Sequence, residues 1–197
     1  MQTLEAIRKR RMVRRFADRS VPEHVLDRIL WAAAHVPSAG FAQGTEFVVL
    51  DEPDQLDRFW EITDPWGRKR VEEQGAPPVL VIPFSNMPRY LQRYSQPDKH
   101  GLGMDVEKGW PVPYWDIDAG MAVMSMLLVA VDQGLGGWFF GIFHGEAELL
   151  RWLNAPEGMS PIGAVGLGYP HANEDLLGSA LSRARRPQRE VVHRGRF

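Results

Sequence analysis

The stretch YWDIDAGMAVMSMLLVAVDQGLGGWFFGIF, residues 114–143, decides how this chain is built. From Tyr114 to Gly134 apolar residues lie on nearly all sides of a helical repeat, which marks a helix enclosed in a core or in a subunit interface. Its unbroken apolar part, Ala119 to Val131, contains Ser125, is flanked by Asp116, Asp118 and Asp132, and falls short of the ~20 residues of a membrane span. A buried helix is expected instead. The aromatic run GGWFFGIF, residues 136–143, follows at once and reads as a strand.

Working outward, helices and short strands alternate, with no internal repeat. SVPEHVLDRILWAAAH (20–35) reads as a helix, with Ser20 and Glu23 spaced as a capping box and Leu26, Ile29, Leu30 and Ala33 along one face. A shorter helix begins around Leu4 and Ile7. TEFVVL (45–50) and PPVLVIPF (77–84) are β-branched and bounded by Gly or Pro, as strands are, and DQLDRFWEI (54–62) between them has helical spacing. From Ser85 to Pro113 the chain is rich in Pro, Gly, Tyr and charge, so a long loop is expected there. GEAELLRWLN (145–154) reads as a helix and PIGAVGLGYP (161–170) as a strand. The closing LSRARRPQREVVHRGRF (181–197) is basic and polar, with little to bury against its own domain.

At 197 residues and 44% hydrophobic, the chain fits one domain with a real core. It has no Cys, which excludes a disulfide framework, a thiolate metal site and a cysteine nucleophile. MQTLEAIRKR is charged from its fifth residue and lacks the apolar region of a signal peptide, so a cytoplasmic location is expected. No G-x-G-x-x-G follows a candidate strand, no G-K pair suits a phosphate loop, and VPSAG lacks the first Gly of a nucleophile elbow. The six His are scattered, with no HExxH and no carboxylate spacing for a metal; His35 and His144 read as packing or surface residues.

Two basic runs remain. Arg8, Lys9, Arg10, Arg11, Arg14 and Arg15 crowd one end of the chain, and RARR, Arg183 to Arg186, lies near the other. Each could be a solvated face. If the runs converge, they would bind a phosphate through bidentate hydrogen bonds as well as charge. The formal net charge of -2, and the lack of aromatic residues among the Arg, argue against nucleic acid.

RKRRMVRRFADRSVPEHVLDRILWAAAHVPSAGFAQGTEFVVL resembles the opening of the FMN-dependent nitroreductase family: a basic segment, then V-P, a helix ending in A-A, and a P-S-x-x-N-x-Q-P-W loop before the first strand. Residues 116–143 are similar to that family's central helix, G-L-G turn and aromatic strand, and LGYP with RARRPQREVVH resembles its last core strand and phosphate clamp. The resemblance implies a single α+β domain over residues 1–197, with a central, mostly antiparallel sheet flanked by helices. It also implies a domain-swapped homodimer in which residues 170–197 reach to the partner subunit and FMN sits at the interface.

Residue by residue, the resemblance assigns the FMN phosphate to Arg10, Arg11, Arg183 and Arg185, with Met12 where the family has a phosphate-binding Ser. It sets Arg14 beside the N1 and O2 edge of the flavin, and runs Pro37, Ser38, Ala39, Gly40 and Gln43 along the ring and ribityl chain. Phe140 and Gly141 fall at the turn that approaches N5, and Arg70, in the run Arg68 to Arg70, falls near a further contact. No side chain would be catalytic and no metal is implied. The implied activity is hydride transfer from NAD(P)H through FMN to a nitroaromatic, quinone or similar small acceptor.

Phe41 replaces the usual Asn, and Gly44 and Thr45 replace Pro and Trp. These departures keep open a flavin- or deazaflavin-binding protein with little turnover. The loop and GIFHGEAEL also look somewhat like the branch that fragments reduced FMN to dimethylbenzimidazole, although that branch needs an Asp in the basic segment, absent here. Trp66, Tyr90, Tyr94, Trp110 and Tyr114 could line a pocket, but read first as packing residues.

Overall fold

The computed structural model describes residues 1–64, 75–172 and 183–197. Helices α1 (Thr3–Lys9) and α2 (Glu23–Ala34) precede β1 (Thr45–Leu50), α3 (Pro53–Thr63), β2 (Val79–Asn86) and α4 (Met87–Tyr94). Helix α5 (Tyr114–Asp132), β3 (Gly136–Phe140), α6 (Glu146–Trp152), β4 (Met159–Pro161) and β5 (Ala164–Gly168) complete the domain. The strands form one antiparallel sheet in the order β1-β2-β5-β3, with β4 beside the far end of β2.

The alternation of β2 explains the layering. Val79 and Val81 face α2 and α5, in a core with Ile29, Ala33, Val123, Met126, Leu127, Val165 and Leu167. Leu80, Ile82 and Phe84 point the other way, against Phe59, Trp60 and Ile62 of α3 and Leu149 of α6. A strand apolar at every position is the pattern of a sheet covered on both faces. Trp60 stacks on Phe140 with ring centroids 5.5 Å apart and planes 15° apart, so the aromatic strand supplies the second core.

Helix α5 is 19 residues long, which by length and composition alone would suffice to cross a membrane. It lies instead against the sheet, burying Ala119, Ala122, Val123, Met126, Leu127 and Ala130. Its opposite face is uncovered within one chain, with Ile117, Met121 and Met124 exposed. Spaced four and three apart, they form a stripe.

Three local expectations are corrected. Helix α2 begins at Glu23 after Pro22, with no side-chain cap, so Ser20 does not close a capping box; proline already fixes the extended backbone that enters the helix. A capping box is formed at α3, by Glu52 and Gln55. The stretch from Ser85 is not all loop. β2 continues to Asn86, whose side chain accepts from the Arg89 N–H, and Pro88 sits in the first turn of α4, where a missing N–H costs nothing. The aromatic strand ends at Phe140 rather than Phe143, which is 85% exposed.

Candidate functional site

The basic N-terminal run divides into parts with different surroundings. Arg8 and Lys9 close the last turn of α1, where cations meet the negative end of the helix dipole, and Lys9 pairs with Glu5 at 2.7 Å. The Arg10 N–H donates to the Ala6 carbonyl at 2.9 Å, and its side chain is half-buried. Beyond it the chain extends beside β3: Met12 bridges Gly137, and the Val13 N–H donates to the Gly137 carbonyl at 3.0 Å. Val13 is buried over Gly136, where a Cβ would lie 2.6 Å from its side chain. Arg11 is exposed, while Arg14 and Arg15 are half-buried.

Met12 turns inward. Its sulfur accepts the Phe139 N–H at 3.5 Å and its side chain packs on the first core, so the position to which the resemblance assigned a phosphate-binding hydroxyl is apolar and structural in this chain. Phe140 likewise spends its ring on Trp60 and Trp138, leaving only its backbone to offer to a ligand. Gly141, just past β3, is exposed, and a Cβ there would meet the Phe143 ring at 2.7 Å.

The second group of implied residues forms a turn before β1. Gly40, Phe41 and Gln43 all lie in the left-handed region, with φ of 59°, 56° and 51°. For Phe41 and Gln43 this costs about 1–3 kcal/mol each, so other contacts must hold it. The Ser38 Oγ accepts the Gln43 N–H at 2.9 Å, with its own hydrogen left to donate. The Ala39 N–H donates to Asp118 Oδ2 at 2.8 Å, and Arg93 Nε donates to the Gly40 carbonyl at 2.7 Å. Pro37, Phe41 and Gln43 are exposed.

Sequence reasoning missed the side chains behind this turn. Asp118 is 2% exposed and Tyr90 fully buried, and the Tyr90 hydroxyl donates to the same Asp118 oxygen at 2.7 Å. Burial, with the carboxylate as the second cause, holds the Tyr90 phenol protonated far above its usual range. Arg93 is itself fixed by a two-pronged contact with Asp98, at 2.8 and 2.6 Å, which lowers the Asp98 carboxyl below its ordinary value. The available signal was an Asp inside an otherwise apolar helix. Tyr90 and Trp110 are packing residues, in a third core with Trp115.

The two groups lie at different levels of α5. Asp118 marks the level of the turn on α5, and Leu127, against Gly137, marks the level of the basic segment. The nine residue steps from one to the other span about 13.5 Å of helix. Arg183 and Arg185 are exposed, and among the described residues no hydrogen bond or ion pair ties them to the N-terminal run. Arg70 lies outside the described residues, as do Arg68, Lys69 and Trp66. His35 and His144 are exposed, and His35 stacks on Trp31 at 3.9 Å. No metal-binding cluster occurs among the described residues. A cleft of about 630 Å³ between α2 and α3 has Asp18, Arg19, Glu23, Asp51 and Asp57 on its described wall, and none of the described residues assigned to the flavin lines it.

The Nitroreductase family profile matches residues 7–169, spanning the basic segment, the turn and every strand of the sheet. The chain belongs to the nitroreductase family. A protein of Methanothermobacter thermautotrophicus, provisionally named an NADH dehydrogenase/NAD(P)H nitroreductase, is 29% identical over 177 residues, covering 88% of this chain and 80% of the relative. Among solved structures, NfrA2 of B. megaterium superimposes with a TM-score of 0.77 at 21% identity, covering all of this chain and 76% of that one. An FMN-dependent nitroreductase of Clostridium difficile R20291 gives 0.70 at 20% identity, covering 98% and 99%. At these identities the two structures establish the nitroreductase fold.

The residues present fit an FMN. Arg10 and Arg11 supply the donor chemistry that a phosphate dianion requires, and the turn at 38–43 offers an exposed edge with a free hydroxyl hydrogen at Ser38. The inward Met12 removes one donor from the phosphate end.

Proposed function

We propose that this chain is an NAD(P)H:acceptor oxidoreductase that uses FMN to reduce a nitroaromatic, quinone or similar small acceptor. The observation that carries the reading is the family match over residues 7–169, which takes in both the basic segment beside β3 and the braced turn before β1. Bound FMN would supply the hydride chemistry, which is why no nucleophile, triad or metal is needed. Arg10 and Arg11, with Arg183 and Arg185, would hold the phosphate. Arg14 would present a fixed positive charge to the ring edge that becomes anionic on reduction. Ser38, Ala39, Gly40 and Gln43 would bear on the ring, and the exposed side above it would admit NAD(P)H and acceptor in turn.

The active unit is proposed to be a homodimer. The stripe of Ile117, Met121 and Met124 on α5 is the apolar surface that a second copy would cover, and the separation of the two site groups along α5 suits a site completed across two chains. The tail is exposed throughout residues 183–197 and is read as the arm that crosses over.

The test is optical. Protein reconstituted with FMN should retain a yellow colour through desalting, lose it anaerobically on adding NADH or NADPH, and regain it with a quinone or nitroaromatic. Colour that NAD(P)H never bleaches would replace the reading with a flavin-binding protein. Failure to retain FMN would remove flavin chemistry.

A further inference from the structure

The turn at residues 38–43 is held in place by bonds from outside itself. Two of its non-glycine residues, Phe41 and Gln43, adopt left-handed backbone, a conformation that persists only where the surroundings over-determine it. The Ser38 hydroxyl bond to the Gln43 N–H is internal to the turn. The other two anchors come from afar: Asp118 on α5, 79 residues away, takes the Ala39 N–H, and Arg93 on α4, 53 residues away, takes the Gly40 carbonyl. One fixes where the turn starts and the other fixes its middle.

Asp118 is not explained by the needs of the core. It is 2% exposed on a helix whose other buried residues are apolar, and its Oδ2 serves two donors, Ala39 N–H and Tyr90 O–H. Replacing buried polar partners together by apolar groups of the same shape is often close to neutral. A carboxylate at this point therefore does something that an apolar side chain could not, and what it uniquely does is direct one backbone N–H at the head of the strained turn.

We infer that Asp118 is a positioning residue, which together with Arg93 locks the 38–43 turn in its left-handed form and so sets the backbone that bears on the flavin. The inference rests on the proposed reading of that turn as ring-facing. It makes a claim that general stabilisation does not: the brace is needed because residue 41 is not glycine. Glycine adopts the left-handed region freely, so a Gly at 41 should hold the shape without the brace.

The experiment uses the full chain and compares Asp118→Ala, Asp118→Asn and Arg93→Met, each with and without Phe41→Gly. Amide hydrogen exchange at residues 39–43 is followed without flavin, and FMN affinity is measured by flavin fluorescence quenching. Asp118→Ala and Arg93→Met should speed exchange across the turn and weaken FMN binding about tenfold, the scale set by one left-handed non-glycine residue. Adding Phe41→Gly should recover most of both losses, and Asp118→Asn, which keeps an acceptor, should stay near wild type. If Asp118→Ala does not fold, Arg93→Met carries the same expectation, because its side chain lies at the edge of the fold with 22% exposure.

The inference is overturned if the braceless variants exchange like wild type, if Phe41→Gly rescues nothing, or if Asp118→Asn is as impaired as Asp118→Ala. It is also overturned if exchange rises while FMN affinity stays at the wild-type value. Wild-type protein that shows the exchange pattern but binds no FMN would leave Asp118 as the brace of the turn and sink the flavin reading instead.

Discussion

Replacing Gly44 by Ala adds one methyl group where the structure has no room for it. Gly44 is buried at the foot of β1, and a Cβ there would lie 2.3 Å from Tyr90 Cε2, 2.9 Å from Cδ2 and 3.1 Å from the Asn86 carbonyl. Ordinary carbon contacts lie near ~3.5 Å, so the Tyr90 ring would have to retreat by about 1.2 Å. It cannot do so freely, because Trp110 and Trp115 stand edge-on at 5.9 and 6.1 Å between centroids. Overpacking of this kind costs about 1–3 kcal/mol. Displacing the ring also pulls the hydroxyl from Asp118, and a buried group left unpaired adds about 1–3 kcal/mol. The expected loss is about 2–6 kcal/mol, a fall in Tm of roughly 4–24 °C at about 2–4 °C per kcal/mol for a domain of this size. Denaturant unfolding of flavin-free protein at one fixed concentration measures it. In a Tyr90→Leu background, where the ring is gone, the same substitution should cost less than about 1 kcal/mol. A Gly44→Ala protein within about 0.5 kcal/mol of wild type, or losses that simply add in the double variant, would refute the reasoning.

Three further outcomes are expected. Arg10→Ala should weaken FMN binding by about 1.5–3 kcal/mol and riboflavin binding far less, since the lost bond is to the phosphate; equal losses in titrations of the two ligands would dismiss Arg10 as a phosphate ligand. Arg14→Ala should spare much of the affinity for oxidised FMN and lower its midpoint potential, because the charge it meets arises on reduction. Spectroelectrochemistry with an unchanged potential would count against that role. Met124→Lys, on the exposed stripe of α5, should shift the protein to monomer in sedimentation and release FMN with it, whereas a dimer of undiminished affinity would place the interface elsewhere.

The features that the chain's order alone determined are those whose cause is local. Apolar spacing in 23–34 and the all-round apolarity of 114–132 reflect faces that must be buried, and the β-branched runs at 45–50 and 79–84 are bounded by Gly or Pro, so α2, β1, β2 and α5 were legible with ends a few residues off. The family match was legible for the same reason, because it rests on motifs in a fixed order. Helix α4 was hidden because Pro88 breaks a helix interior yet suits its first turn, and only β2 ending at Asn86 fixes where that turn begins. The brace of the turn was beyond any reading along the chain. Asp118 meets Ala39 across 79 residues, Arg93 meets Gly40 across 53, and the need for Gly at 44 arises from a Tyr90 ring delivered by another helix. Hydrogen bonds and close contacts of this kind depend on where whole elements pack, and periodicity records only which face of each element is buried, not which residue of a distant element it will meet.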